Sequence, residues 1–234
     1  MIKTQINKGM MLQDLSWNEV KEYLSKKKDI ILPFGSVEEH GYHLPLSTDS
    51  DIALAIAKKL GEELGILVAP PVWYGVANTT KDYVGSVMVS FDALRLYTKE
   101  ILKSLERQGF KRVFLISGHL SSSQKHAIKE AAKETGLEAY LLDFSKIDFG
   151  DIVSTTPVHA CEAETSLMLY LYPEKVKMDK AVDEEVEFNK YAVRGSLVKT
   201  KSGVFGHPTK ATREKGEKIF KRIISEFKDF ICSL

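Results

Sequence analysis

Four short apolar runs punctuate the chain: Ile30–Phe34, Ile66–Ala69, Val113–Ile116 and Tyr140–Leu142. Between and after them, apolar residues recur at three- and four-residue spacing, the period of a helix with one buried face. The segment from about Asp51 to Leu64 carries Ile52, Ala55, Ile56 and Leu60 on one face, with Gly65 placed as its C-cap. Ser90 is a good N-cap for a helix bearing Leu94, Tyr97, Ile101 and Leu105 and ending at Gly109. Further helices are expected from about Ser122 to Thr135, Ala163 to Tyr172 before Pro173, and Arg213 to Phe230. Trp73–Val89 and Thr200–Thr209 lack periodicity and read as loops or irregular strands. Buried strands alternating with amphipathic helices predict an α/β fold, a three-layer α/β/α arrangement with a mainly parallel central sheet. No repeat or linker divides residues 1–234, so one domain is expected.

Composition narrows the function classes. With 33 Lys+Arg against 32 Asp+Glu the net charge is +1, which gives no reason to propose a nucleic-acid or acidic-membrane partner. The two cysteines, Cys161 and Cys232, are far apart and build neither a disulfide framework nor a Cys-rich zinc module. No apolar run approaches membrane-spanning length, so a soluble, cytoplasmic protein is expected. No Gly-x-Gly-x-x-Gly or Gly-Lys-Ser/Thr stretch follows a strand, so dinucleotide and P-loop modules lack their fingerprint.

Ligands of open α/β sheets bind beyond the carboxyl ends of the strands. There the sequence places Gly35-Ser36-Val37-Glu38-Glu39-His40-Gly41-Tyr42-His43 through Thr48-Asp49, then Ser117-Gly118-His119, then His159-Ala160-Cys161-Glu162-Ala163-Glu164. Four of six histidines fall in these stretches, beside five carboxylates. Carboxylates and imidazoles buried together repel and are poorly solvated unless cations compensate them, and mixed His/carboxylate ligation suits zinc, manganese or iron(II).

These stretches closely resemble the signature of the creatininase family of metal-dependent amidohydrolases, and Gly203-Val204-Phe205-Gly206-His207-Pro208 through Lys215-Gly216 follows in the family's order. The resemblance implies two divalent ions per chain, with Glu38 on one, His40 on the other, Asp49 bridging them and His119 completing the first. The creatinine-hydrolysing members carry a Glu two positions after this His, where this chain has Ser121; Glu162 is expected to supply the missing carboxylate. His159 matches a histidine that lies beside the substrate. The implied mechanism has a metal-activated hydroxide attack an amide carbon while His159 or Glu162 assists proton transfer to the departing nitrogen.

The other residues read more plainly. His43 is expected to orient a ligand or pack under the loop, Glu39 to face solvent or a neighbour, Glu164 to complement a helix N-terminus, and His126 to be structural. His207 sits in a loop suited to substrate contact or an oligomer interface. Cys161, beside His159, raises a rival thiolate-nucleophile reading, which its place as a small buried residue disfavours.

For the substrate, the resemblance implies a small-molecule amide. The creatinine enzymes use tryptophans shortly before the His159 position, but this chain has only Trp17 and Trp73, with Thr155 at one of those places. A lean toward Lys and Glu favours an archaeal branch, which removes a formyl group from a formylamino-pyrimidine ribotide. Lys81, Arg194, Lys199 and Lys201 are candidate phosphate contacts, although solvent exposure alone accounts for them. Creatinine hydrolysis and trimming of the mycofactocin peptide are the alternatives within the family. A metal-binding regulatory or scaffold domain is the alternative outside catalysis. A homo-oligomer, dimer to hexamer, is expected by family analogy.

Overall fold

The computed structural model describes residues 11–155, 158–185 and 200–234. Its strands are β1 (Asp29–Phe34), β2 (Leu67–Val68), β3 (Arg112–Ser117) and β4 (Glu138–Leu142), all parallel, in the order β2-β1-β3-β4. The helices are α1 (Trp17–Leu24), α2 (Thr48–Leu64), α3 (Phe91–Gln108), α4 (Ser122–Lys133), α5 (Glu162–Leu171) and α6 (Arg213–Cys232).

Strand alternation divides the apolar residues between two layers. Ile31, Phe114 and Ile116 pack with α2, α5 and α6. Ile30, Leu32, Phe34, Val113 and Leu115 pack with Tyr23 of α1 and with α3 and α4. Because both faces are covered, β1 is buried at every position, as its unbroken apolar run requires. Three-layer α/β/α is therefore the observed architecture.

Helix termini follow local chemistry. Ser90 accepts from the Ala93 amide, and Gly65 and Gly109 close α2 and α3 in the left-handed conformation. α1 is the element that the apolar pattern does not announce. It is set by a capping box, in which the Ser16 side chain accepts from the Glu19 amide and the Glu19 carboxylate accepts from the Ser16 amide. Among the described residues no helix is long and apolar enough to cross a membrane.

Candidate metal centre and active site

Two loops at the carboxyl end of the sheet and the first turn of α2 bring four of the five expected ligands together. The segment after β1 delivers Glu38 and His40, and the first turn of α2 delivers Asp49. The turn after β3 delivers His119. Buried Gln124 of α4 ties these loops: its amide nitrogen donates to the carbonyl of Gly35 (3.0 Å) and to Ser117 Oγ (3.1 Å), while its oxygen accepts from the Val76 amide (2.9 Å). The motif reading misses it because it sits on a helix between motifs.

Each imidazole has one nitrogen committed to a carbonyl. His40 Nδ1 donates to the Glu38 carbonyl (3.1 Å) and His119 Nε2 to that of Val76 (3.1 Å). The opposite nitrogens then face carboxylates: His40 Nε2 lies 3.2 Å from Asp49 Oδ1, and His119 Nδ1 lies 2.5 Å from Glu38 Oε1 and 3.1 Å from Asp49 Oδ2. Glu164 Oε2 is buried without a hydrogen-bond partner among the described residues, and the buried Glu38 Oε1 and Asp49 Oδ2 meet only the His119 imidazole. Thr80 Oγ1 donates to the other oxygen of Glu38, which leaves Oε1 facing inward.

Donor atoms of Glu38, Asp49 and His119 lie within 4.8 Å of one another, as do those of His40, Asp49 and Glu164, and Asp49 belongs to both sets. Glu38, His40 and His159 form a third set. The electrostatics call for positive charge. Burial disfavours a charged His40, yet Asp49, with Glu164 and Glu38 behind it, lifts its pKa to about 10. His119 is raised in the same way, against its burial, by Glu38 and Asp49. Burial pushes Glu164 up, and Asp49 and Glu38 add to the effect. Protons drawn onto the imidazoles are standing where cations would. Deprotonated ring nitrogens and buried carboxylate oxygens in a mixed N/O set are the donors that divalent zinc, manganese or iron take, so the residues fit such ions.

A cavity of about 420 Å³ opens onto this cluster, lined among others by Glu38, Asp49, Thr80, His119, His159 and Glu164. The family model for creatininase, described as creatinine amidohydrolase, matches residues 13–231. The chain belongs to the creatininase family. It is a metal-dependent hydrolase of carbon–nitrogen bonds. It is 31% identical over 216 residues to the mycofactocin precursor peptide peptidase of Mycolicibacterium smegmatis, covering 86% of this chain and 83% of that protein. It is 28% identical over 254 residues to the creatinine amidohydrolase of Pseudomonas putida, covering 97% of each. The solved manganese form of creatininase shares its fold with a TM-score of 0.87 at 24% identity, over 95% of this chain and 97% of that one.

Two expectations for this creatininase-family site need correction. Glu162 does not join the cluster. Its carboxylate pairs with Lys215 Nζ (2.5 Å) and accepts from the Ser154 amide (2.9 Å), Ser154 Oγ (3.0 Å) and Thr155 Oγ1 (2.9 Å), so its lone pairs are spent outside the site. Glu164, expected only to complement a helix terminus, faces His40 and Asp49 instead. Of solvent or a neighbour, Glu39 meets a neighbour. It is buried, accepts from the Gly41 amide at Oε2 (3.0 Å), and places Oε1 3.1 Å from His159 Nε2, which also reaches the Glu39 carbonyl (2.8 Å).

His159 is paired through its backbone with Phe205, which seats the 200–209 loop beside the site. Cys161 is buried and its thiol is pushed up to about 12 by burial, with Glu164 adding to the effect, which removes the thiolate reading. His126 is exposed on α4 and His207 pairs with Glu185 (3.1 Å). Lys81 and Lys201 are exposed, while Arg194 and Lys199 lie outside the described residues.

His43 lies beneath the loop, bonded through Nε2 to Thr165 Oγ1 (2.8 Å). Burial, reinforced by His40, lowers its pKa from 6.5 to about 4. The unfolded chain therefore takes up this proton first as pH falls, so the His43 contribution to stability is complete above about pH 6.5 and declines toward pH 4. His43→Gln is expected to flatten the loss of stability between pH 7 and 4.5 by about 2 kcal/mol. Denaturant melts of both proteins at the two pH values measure it, and parallel declines would refute it.

Proposed function

We propose that Glu38, Asp49 and His119 hold one divalent ion, and His40, Asp49 and Glu164 a second, with Asp49 shared. The single observation that carries this reading is the pair of overlapping donor sets around Asp49, whose buried carboxylate oxygens have no partner among the described residues beyond the imidazoles of the same sets. Divalent ions supply Lewis-acid polarisation of a carbonyl and activation of water at neutral pH. The chain's own part is to fix the donors and handle protons. Thr80 and the Val76 carbonyl orient Glu38 and His119. The Glu39 carbonyl and carboxylate hold His159 Nε2–H, which leaves Nδ1 to pass a proton to the departing nitrogen.

The substrate class we propose is a small amide, a formamide or a cyclic amide. Neither tryptophan lines the 420 Å³ cavity, and that counts against creatinine. The similarity to a peptidase keeps short peptides in view. Working as a homo-oligomer in the cytoplasm belongs to the same reading; exposed Tyr42, Leu46, Trp73, Tyr74, Val84 and Val87 offer apolar surface for self-association, and sedimentation tests it.

Metal counting on the purified chain, followed by a screen of formamides, lactams and short peptides, tests the catalytic reading. Two bound ions with no hydrolysis would support the scaffold alternative. His159→Ala is expected to cut turnover about 10²–10⁴-fold with metal content unchanged. A fully active variant would remove His159 from the mechanism.

A further inference from the structure

Beside the catalytic cavity lies a second one of about 540 Å³. Leu120, Val158 and Glu164 belong to the walls of both, so the two compartments meet at the edge that carries the Glu164 carboxylate. Beyond that edge the wall carries an apolar face, formed by Phe144, Phe149, Val153, Leu167 and Ile219, beside the polar Ser145, Asp148, Ser154 and Thr155.

Apart from Glu164 at that edge, the polar side chains of its lining are engaged in hydrogen bonds. The Ser154 and Thr155 hydroxyls donate to Glu162 (3.0 and 2.9 Å), Ser145 Oγ donates to Asp143 (2.5 Å), and Asp148 accepts from the Gly150 amide (2.8 Å). Here the Glu162 cluster gains a role: it engages the hydroxyl protons of two residues that line the cavity. Somewhat more than half of the surface that the compartment offers a ligand is apolar, in a volume typical of ligand sites.

We propose that this cavity is a substrate subsite for a bulky apolar substituent, aromatic or branched aliphatic, attached close to the amide that is cleaved. The inference rests on the hydrolase reading above, because it is the adjoining cluster that makes the occupant a substrate. A small polar amide would leave the compartment without a partner. An amide with a phenyl-sized side group would reach from the cluster into it.

Two measurements on the metal-loaded protein test this. Calorimetric titration is expected to show 3-phenylpropanamide binding at least about ten-fold more tightly than propanamide. Rates are expected to favour N-formylphenylalaninamide over N-formylglycinamide, or Phe over Gly in whichever amide class is hydrolysed, by a similar factor. Val153→Trp, which fills the compartment, is expected to erase both preferences. Phe149→Ala, which enlarges it, is expected to weaken 3-phenylpropanamide several-fold, so the test survives if one variant fails to fold. Equal affinities for the two amides, or a phenyl preference untouched by both variants, would overturn the proposal. Phenyl-selective binding that Val153→Trp abolishes, with no amide hydrolysed, would uphold the subsite and overturn the catalytic reading.

Discussion

Glu164→Gln is expected to lower bound metal from two ions per chain to about one and turnover by about 10³-fold, whereas Glu162→Gln should keep both ions. The two residues are two positions apart in one helix, and the contrast follows from what each carboxylate already touches. Glu164 Oε2 is buried with no donor among the described residues, beside His40 and Asp49. Its charge has nothing but a cation or the imidazoles to balance it, so a neutral amide removes a ligand without freeing any other interaction. Losing one ion forfeits several kcal/mol of charge stabilisation in the transition state, and about 4 kcal/mol corresponds to the 10³-fold stated.

Glu162 has its oxygens filled by Lys215, Ser154 and Thr155. Its amide variant weakens an ion pair whose carboxylate is buried and whose lysine is partly exposed, and should cost stability, roughly 2 kcal/mol, less than for a fully buried pair. Metal analysis after dialysis, with thermal melts alongside, reads both effects. Loss of an ion from Glu162→Gln with full occupancy in Glu164→Gln would reverse the assignment.

Why the sequence favours the wrong glutamate is a matter of helical phase. α5 begins at Glu162, so Glu162 and Glu164 lie about 200° apart around its axis. Which of them meets the cluster depends on how α5 docks against α2 and α6, and no local pattern records that. The choice between solvent and a neighbour stayed open for Glu39 for a related reason. Alternation of side chains assigns it outward only if the segment is a strand, but β1 ends at Phe34, and the chain beyond it turns through residues 41–43 with a single bridge from Val37 to Val87. A rule of period two does not hold in such a segment.

By contrast Glu38, His40 and Asp49 are brought together by one short stretch running from the end of β1 into α2, and His119 by the turn after the neighbouring strand β3. In a parallel sheet with β1 beside β3, those loops emerge side by side, so their convergence is legible once the strands are recognised. The strands were legible because burial on both faces demands unbroken apolar runs. The second cavity was not, since it is assembled from the 144–155 segment, α5 and α6, and no single stretch describes its volume.

Gly118→Ala should be among the most damaging single-methyl substitutions in the chain, lowering stability by about 3 kcal/mol or more and weakening metal binding at the same time. A Cβ at this position would sit 1.9 Å from the Asp49 carbonyl oxygen and 2.8 Å from its carbon. The obstacle is the backbone of the first turn of α2, which cannot swing aside as a side chain would. Relief requires separating the end of β3 from the start of α2, and those two elements carry His119 and Asp49, whose Nδ1 and Oδ2 are 3.1 Å apart. The close approach that forbids a side chain at 118 is thus the same approach that brings the two donors within reach of one ion.

Gly109→Ala supplies the contrast. Gly109 is left-handed, with φ of 105°, but a Cβ there meets nothing within 4 Å, so only the conformational cost of about 1–2 kcal/mol is expected. Thermal melts in chelator should place Gly118→Ala several degrees below Gly109→Ala, given roughly 2–4 °C per kcal/mol at this chain length. Metal titration at a temperature where both are folded should show weakened binding in Gly118→Ala alone. The reverse order of melting would mean that β3 and α2 separate easily, and that the spacing of His119 and Asp49 is set by the loops rather than by this contact.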